Sequence, residues 1–233
     1  MQLSYLSMWI VAIIVSALCV RDARVNFLPK LSAEPRFQHL TIAVCFALFM
    51  LWSAEAGILP GLSIHFLALT SLTLMYGWRV AYLMCWPISL ALVIFGNLSL
   101  ESMGQFIVLS CLVPILTSYG IFLIAYRYLP RNIFVYIFIA GFFNGALAGS
   151  LQLFATSLFY YFSNLHDWKQ IVDNYLIFSI LLAFPEGMLN GMVIAILTVF
   201  KPEWLRTFSD RDYIYSHYHK NNVKVFILLT NPC

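Results

Sequence analysis

Apolar residues fall in seven runs, at approximately 1–20, 39–53, 57–78, 80–95, 106–126, 132–162 and 171–200, with short polar connections between them. A helix that crosses a bilayer needs about 20 largely apolar residues. The pattern therefore predicts an all-α polytopic membrane bundle of about seven transmembrane helices. The second and fourth runs are short and draw on their flanks. The sixth and seventh are longer than a bilayer requires, which predicts tilt or protrusion. Beyond residue 200 the chain turns polar; Pro202 stops the last helix and Trp204 suits the membrane interface. This divides the chain into a transmembrane body, 1–200, and a C-terminal tail, 201–233.

The basic residues give the bundle a direction. Arg21, Arg24, Lys30 and Arg36 lie in the first connection, Arg79 in the third, Arg127 and Arg131 in the fifth. Lys201, Arg206, Arg211, Lys220 and Lys224 lie in the tail, and the even connections hold only Lys169. Lys and Arg concentrate on the cytoplasmic side. The alternation places the N-terminus outside and the C-terminus in the cytoplasm, and it independently asks for an odd number of spans.

Composition agrees: the chain is 62% hydrophobic and 10% charged, against roughly 25% charged residues in a soluble domain. Its partners thus include the lipid bilayer. The net charge of +3 is scattered and gives no basis for nucleic-acid binding. The five cysteines show no C-x-x-C spacing and read as small buried hydrophobes. Without a basic start or a small-residue cleavage site, the first run is expected to stay as a helix. The chain has no P-loop, no H-E-x-x-H and no G-x-S-x-G, so neither nucleotide hydrolysis nor an intramembrane hydrolase is supported. No bound catalytic cofactor is expected.

The candidate chemistry is concentrated in two places. The first is the stretch from Glu55 to Phe66, which holds a carboxylate, Gly57, Pro60, Gly61, Ser63 and His65 between apolar segments. Pro60 and Gly61 interrupt a helix, and irregular backbone at membrane depth persists only where it is buried in protein or lines a polar cavity. His65 then stands at the mouth of a binding site. The second is Glu186, about fifteen residues into the last run, with Asn190 one turn on and sharing its face. A carboxylate at that depth faces the bundle interior or a water-filled cavity. It marks either a substrate path or a clamp that pins helices together next to Pro185. Gly141, Gly145 and Gly149 on the sixth run and Gly187 and Gly191 on the seventh repeat at every fourth residue, which predicts close packing of these two helices. His217 and His219 in the tail have no neighbour that completes a metal site.

Three stretches together carry a resemblance: 51–65 (LWSAEAGILPGLSIH), 184–191 (FPEGMLNG), and Pro202-Glu203-Trp204 with Phe208-Ser209-Asp210-Arg211-Asp212-Tyr213. They are similar to the permeases related to the cobalt and nickel substrate-capture subunits of energy-coupling-factor ABC transporters, over residues 1–214. The resemblance implies seven helices, an external N-terminus tucked into the core, a membrane scaffold subunit and ABC ATPase subunits as partners, and a bacterial plasma membrane location. It also implies a transition-metal ion as substrate. In such members the ion is held by the N-terminal amine, by the backbone nitrogen and imidazole of residue 2, and by a histidine after a proline-glycine stretch. Met1 and His65 match the first and last of these donors. Residue 2 is Gln2 here, which leaves its backbone nitrogen as a donor but replaces the imidazole with an amide, a poorer ligand for Co²⁺ or Ni²⁺. Glu55 and Ser63 are candidate oxygen donors beside them. A non-transporting scaffold or receptor, and a permease of the same fold with a non-metal substrate, are the alternatives.

Overall fold

The structure, a computed structural model, describes residues 2–54, 56–59, 62–165, 167–209 and 213. The side chains of residues 2–5, 56–59, 62 and 63 fall outside that description, as do His166, His217 and His219. Helix α1 runs over Gln2–Asp22 and continues through a π turn, Ala23–Phe27, into Leu28–Ala33. Then come α2 (Pro35–Ser53), a two-stranded hairpin of β1 (Ala56–Leu59) and β2 (Leu62–Ile64), and α3 (Leu69–Tyr76). Four helices complete the body: α4 (Trp78–Ile94), α5 (Leu100–Tyr128), α6 (Ile133–Phe162) and α7 (Trp168–Phe200). Among the described residues five helices are long and apolar enough to cross a membrane, and α4 is a shorter apolar helix.

Local chemistry sets the boundaries. Glu34 alone separates α1 from α2; it is extended (φ −119°, ψ 100°), as the residue before a proline must be, and Pro35 opens α2. The four basic residues of the first connection therefore ride on the ends of these two helices. Ser99 caps α5 by accepting from the Ser102 backbone N–H, and Asn132 caps α6 by accepting from that of Val135.

The third apolar run does not form one spanning helix. Residues 56–59 and 62–64 pair as antiparallel strands with Gly57 opposite Ser63, residues 65–68 are non-helical, and only then does α3 begin. α3 has 8 residues, about 12 Å at 1.5 Å per residue, and every one of them is buried. Gly77 (φ +79°) ends it with a conformation that a side chain disfavours, and α4 starts at once.

Polarity is arranged for a bilayer. Leu18, Ile42, Ile94, Ile180 and Phe200 face outward, whereas Ser118, Asn144, Glu186, Asn190 and Thr198 are buried. From Ile177 onward the outward face of α7 is apolar, with Ile180 82% exposed, so its polar face is committed to the interior.

α6 and α7 pack along their glycines. A Cβ added at Gly141 would meet Ile194 at 3.3 Å, one at Gly145 would meet Asn190 at 2.9 Å, and one at Gly149 would meet Glu186 at 3.0 Å. On the facing helix, a Cβ at Gly187 would lie 2.9 Å from the Phe142 carbonyl oxygen. Bare glycine thus brings the backbones together and leaves room for the two polar side chains of α7. Gly187→Ala must push α6 away and should cost about 1–3 kcal/mol. This is read as a lower unfolding temperature in detergent; Gly120→Ala, whose Cβ meets nothing within 4 Å, should leave it unchanged or higher.

Candidate functional site

A buried helix of two turns presents a problem at each end, because its first backbone N–H groups and last carbonyls have no partner within the helix. Far from water, each unpaired group costs free energy of the order of a lost hydrogen bond. In this chain α7 and the segment after it supply the partners.

At the start of α3, Glu186 accepts from two successive backbone N–H groups, Leu67 N to Oε2 at 3.0 Å and Ala68 N to Oε1 at 2.8 Å. Asn190, one turn on, donates from Nδ2 to Glu186 Oε1 at 3.0 Å. Its own Oδ1 accepts from the Ser71 backbone N–H at 2.8 Å and from the Ser71 hydroxyl at 2.9 Å. All three partners of the Glu186 carboxyl are N–H donors, the set that an ionised carboxylate takes. Ala68 is held left-handed (φ 52°), a conformation that costs a non-glycine residue about 1 kcal/mol or more. The carboxylate grip on the Ala68 N–H and on that of Leu67 before it offsets that strain.

Leu67 is gripped from the other side as well: its carbonyl accepts from Trp52 Nε1 at 3.1 Å. The Trp52 ring packs edge-on against Phe106, centroids 5.4 Å apart, and the His65 imidazole stacks on the same Phe106 at 5.5 Å and 21°. His65 Nε2 is sealed from solvent and has no hydrogen-bond partner among the described residues. An imidazole nitrogen in that position is a free donor or acceptor, or a ligand, held in one orientation by a stacked ring.

The far end of α3 is closed by the stretch that follows α7. Arg206 N donates to Met75 O at 3.0 Å, the Thr207 hydroxyl donates to Leu74 O at 2.8 Å, and Arg206 Nη1 donates to Tyr76 O at 3.1 Å. The same guanidinium pairs with Asp22 at the end of the first segment of α1, at 2.8 and 3.1 Å. Hydrogen bonding to Asp22 holds Arg206 above its already high pKa. Leu205, Phe208 and Tyr213 are buried as this segment folds back on the bundle.

α1 and α3 run the same way. Asp22 meets Arg206 at one end; at the other, Trp9 covers Gly104, where an added Cβ would sit 2.7 Å from the indole. Gly104 lies two residues before Phe106, the ring that carries His65. The start of α1 therefore belongs to the His65 end of the bundle.

Of the residues singled out from the sequence, the structure brings Glu186 and Asn190 together with the backbone directly after His65. Ser63 pairs through its backbone with Gly57, and Gln2 opens α1; their side chains, and Met1 and Glu55 altogether, lie outside the described residues. Among the described residues no three His, Cys, Asp or Glu side chains come together in a way that could hold a metal ion. Sequence reasoning missed Phe106, the left-handed Ala68 and the clasp by Arg206 and Thr207. Trp52 stood beside the proline-glycine stretch, but nothing local marked Leu67 as its partner.

The sequence model described as cobalt uptake substrate-specific transmembrane region matches residues 3–204. The chain belongs to this family. The family is the substrate-binding membrane component of energy-coupling-factor transporters for cobalt and nickel, and it works in complexes with other transporter subunits. The chain is accordingly a multi-pass membrane transport component. Its fold is similar to a crystal structure of a truncated transition metal transporter, with a TM-score of 0.69 at 14% identity over 85% of this chain and 94% of that one. Comparison with curated proteins gives no match.

Glu186→Gln replaces one acceptor oxygen with an amide that faces N–H donors. A buried hydrogen bond to a charged group contributes roughly 1.5–3 kcal/mol, and a loss of that size should appear as a lower unfolding temperature in detergent. An unchanged temperature would mean that the carboxyl is not the clamp.

Proposed function

We propose that this chain captures a transition-metal ion of the cobalt or nickel kind, with His65 Nε2 as its central ligand. The observation that supports it most is that this nitrogen is sealed, oriented by Phe106 and without a hydrogen-bond partner among the described residues, at the end of the bundle where α1 begins. A neutral imidazole suits both ions. The Met1 amine and the Gln2 backbone nitrogen are the natural second and third donors from the start of the chain, and Glu55 and Ser63, close to His65 in sequence, are the candidates to add oxygen. Glu186 and Asn190 position the loop rather than touch the ion, since their polar atoms are already engaged with backbone and with each other.

The alternation of basic residues supports an external N-terminus and a cytoplasmic C-terminus, in the plasma membrane of a bacterium. In that orientation the His65 end receives the ion from outside and the Arg206 end faces the cytoplasm. A membrane scaffold subunit and ABC ATPase subunits supply the energy, since the chain carries no P-loop of its own.

Purified protein in detergent should be titrated with Co²⁺, Ni²⁺, Zn²⁺ and Mn²⁺ as wild type, His65→Ala and Gln2→His. Co²⁺ or Ni²⁺ should raise the unfolding temperature of the wild type. The shift, read for each protein against its own metal-free unfolding temperature, should vanish in His65→Ala and grow in Gln2→His. Binding by Gln2→His alone would point to the same fold with a non-metal substrate. If none of the three proteins binds metal, the reading fails.

A further inference from the structure

The other end of α3 opens on a cavity of about 480 Å³ whose lining includes Asp22, Arg79, Tyr119, Phe122, Leu123 and Arg206. Two guanidiniums face one carboxylate there. Arg206 takes that carboxylate for itself in a two-toothed pair. Arg79 is exposed, lies over the Trp78 ring at 5.2 Å, and forms no ion pair among the described residues. Among the described residues the lining therefore carries one more positive charge than negative. Gly77 separates α3 from α4 at its wall, and α4 begins with no side-chain cap, so the positive end of that helix adds to the field.

Part of the lining is apolar. Phe122 is buried, and Leu123, the next residue, is 47% exposed on the outward surface of the bundle where the acyl chains run. Trp78 and Tyr119 line the cavity as well, their rings 6.4 Å apart, aromatic residues of the kind found in a membrane-interface belt. A free phosphate would use the guanidinium and leave the apolar part unoccupied. A phospholipid uses both: its phosphate meets Arg79 and its chains lie along Leu123.

We propose that this cavity is a binding site for an anionic phospholipid, with Arg79 as the headgroup contact and Phe122 and Leu123 as the chain contact. Arg206 closes the floor of the site while it clasps α3, so an occupied site braces the same segment that closes the far end of the helix. The site is independent of the metal reading, because it uses none of the residues around His65.

The test uses the whole chain in detergent, with native mass spectrometry and thermal unfolding, after addition of phosphatidylglycerol, phosphatidylcholine or inorganic phosphate. Wild type should retain phosphatidylglycerol in preference to phosphatidylcholine and unfold at a higher temperature with it. Arg79→Gln should lower that retention about fivefold, the effect of one basic side chain at a lipid surface, and Arg79→Lys should restore most of it. Equal retention of the two lipids, or retention unaltered in Arg79→Gln, would overturn the site. Stabilisation reproduced by inorganic phosphate alone would overturn the lipid as its occupant.

Discussion

Eight buried residues of helix, too short to cross a bilayer and closed off from water, leave unpaired N–H groups at one end and unpaired carbonyls at the other. The protein answers with a single neighbour. α7 reaches the first end with Glu186 and Asn190, and the segment after it reaches the second with Arg206 and Thr207. Much else follows from that demand. Glu186 and Asn190 need space on the side facing α6, and Gly149 and Gly145 provide it by having no Cβ there. Close approach of α6 and α7 is thus a condition for the polar contacts as much as a packing preference.

The same arrangement prepares the functional loop. Leu67 is bonded through its N–H to α7 and through its carbonyl to α2, and His65 lies two residues earlier, stacked on a ring from α5. Three helices thereby fix one short stretch of backbone. A ligand that meets an imidazole already oriented loses less free energy to ordering than one that must arrest a mobile loop. A carboxylate clamp close to His65 is one way to build such rigidity in a medium where backbone cannot rely on water.

The all-α architecture was legible in the sequence because bilayer thickness forces long apolar runs, and the seven runs correspond closely to helices. The third was the exception. Its composition is that of a span, but Pro60 and Gly61 lie within it and its first half pairs as a hairpin, so periodicity alone could not place α3. His65, Glu186 and Asn190 stood out because polar side chains are scarce in apolar surroundings. What joins them was not legible: the contacts run through the backbone of Leu67 and Ala68, and any residue type offers a backbone N–H. Phe106 was hidden for the opposite reason, being one of 20 phenylalanines in an apolar chain.

The clasp also has a history in time. Ala68 and its carboxylate partner are 118 residues apart, a stretch that takes on the order of ten seconds to synthesise at roughly 5–20 residues per second. Throughout that interval α3 exists without anything to close its ends. The newborn chain must therefore keep this segment hydrated, or sheltered by the insertion machinery, until its last helix enters the membrane. Truncation anywhere before Glu186 would leave the loop around His65 permanently unset.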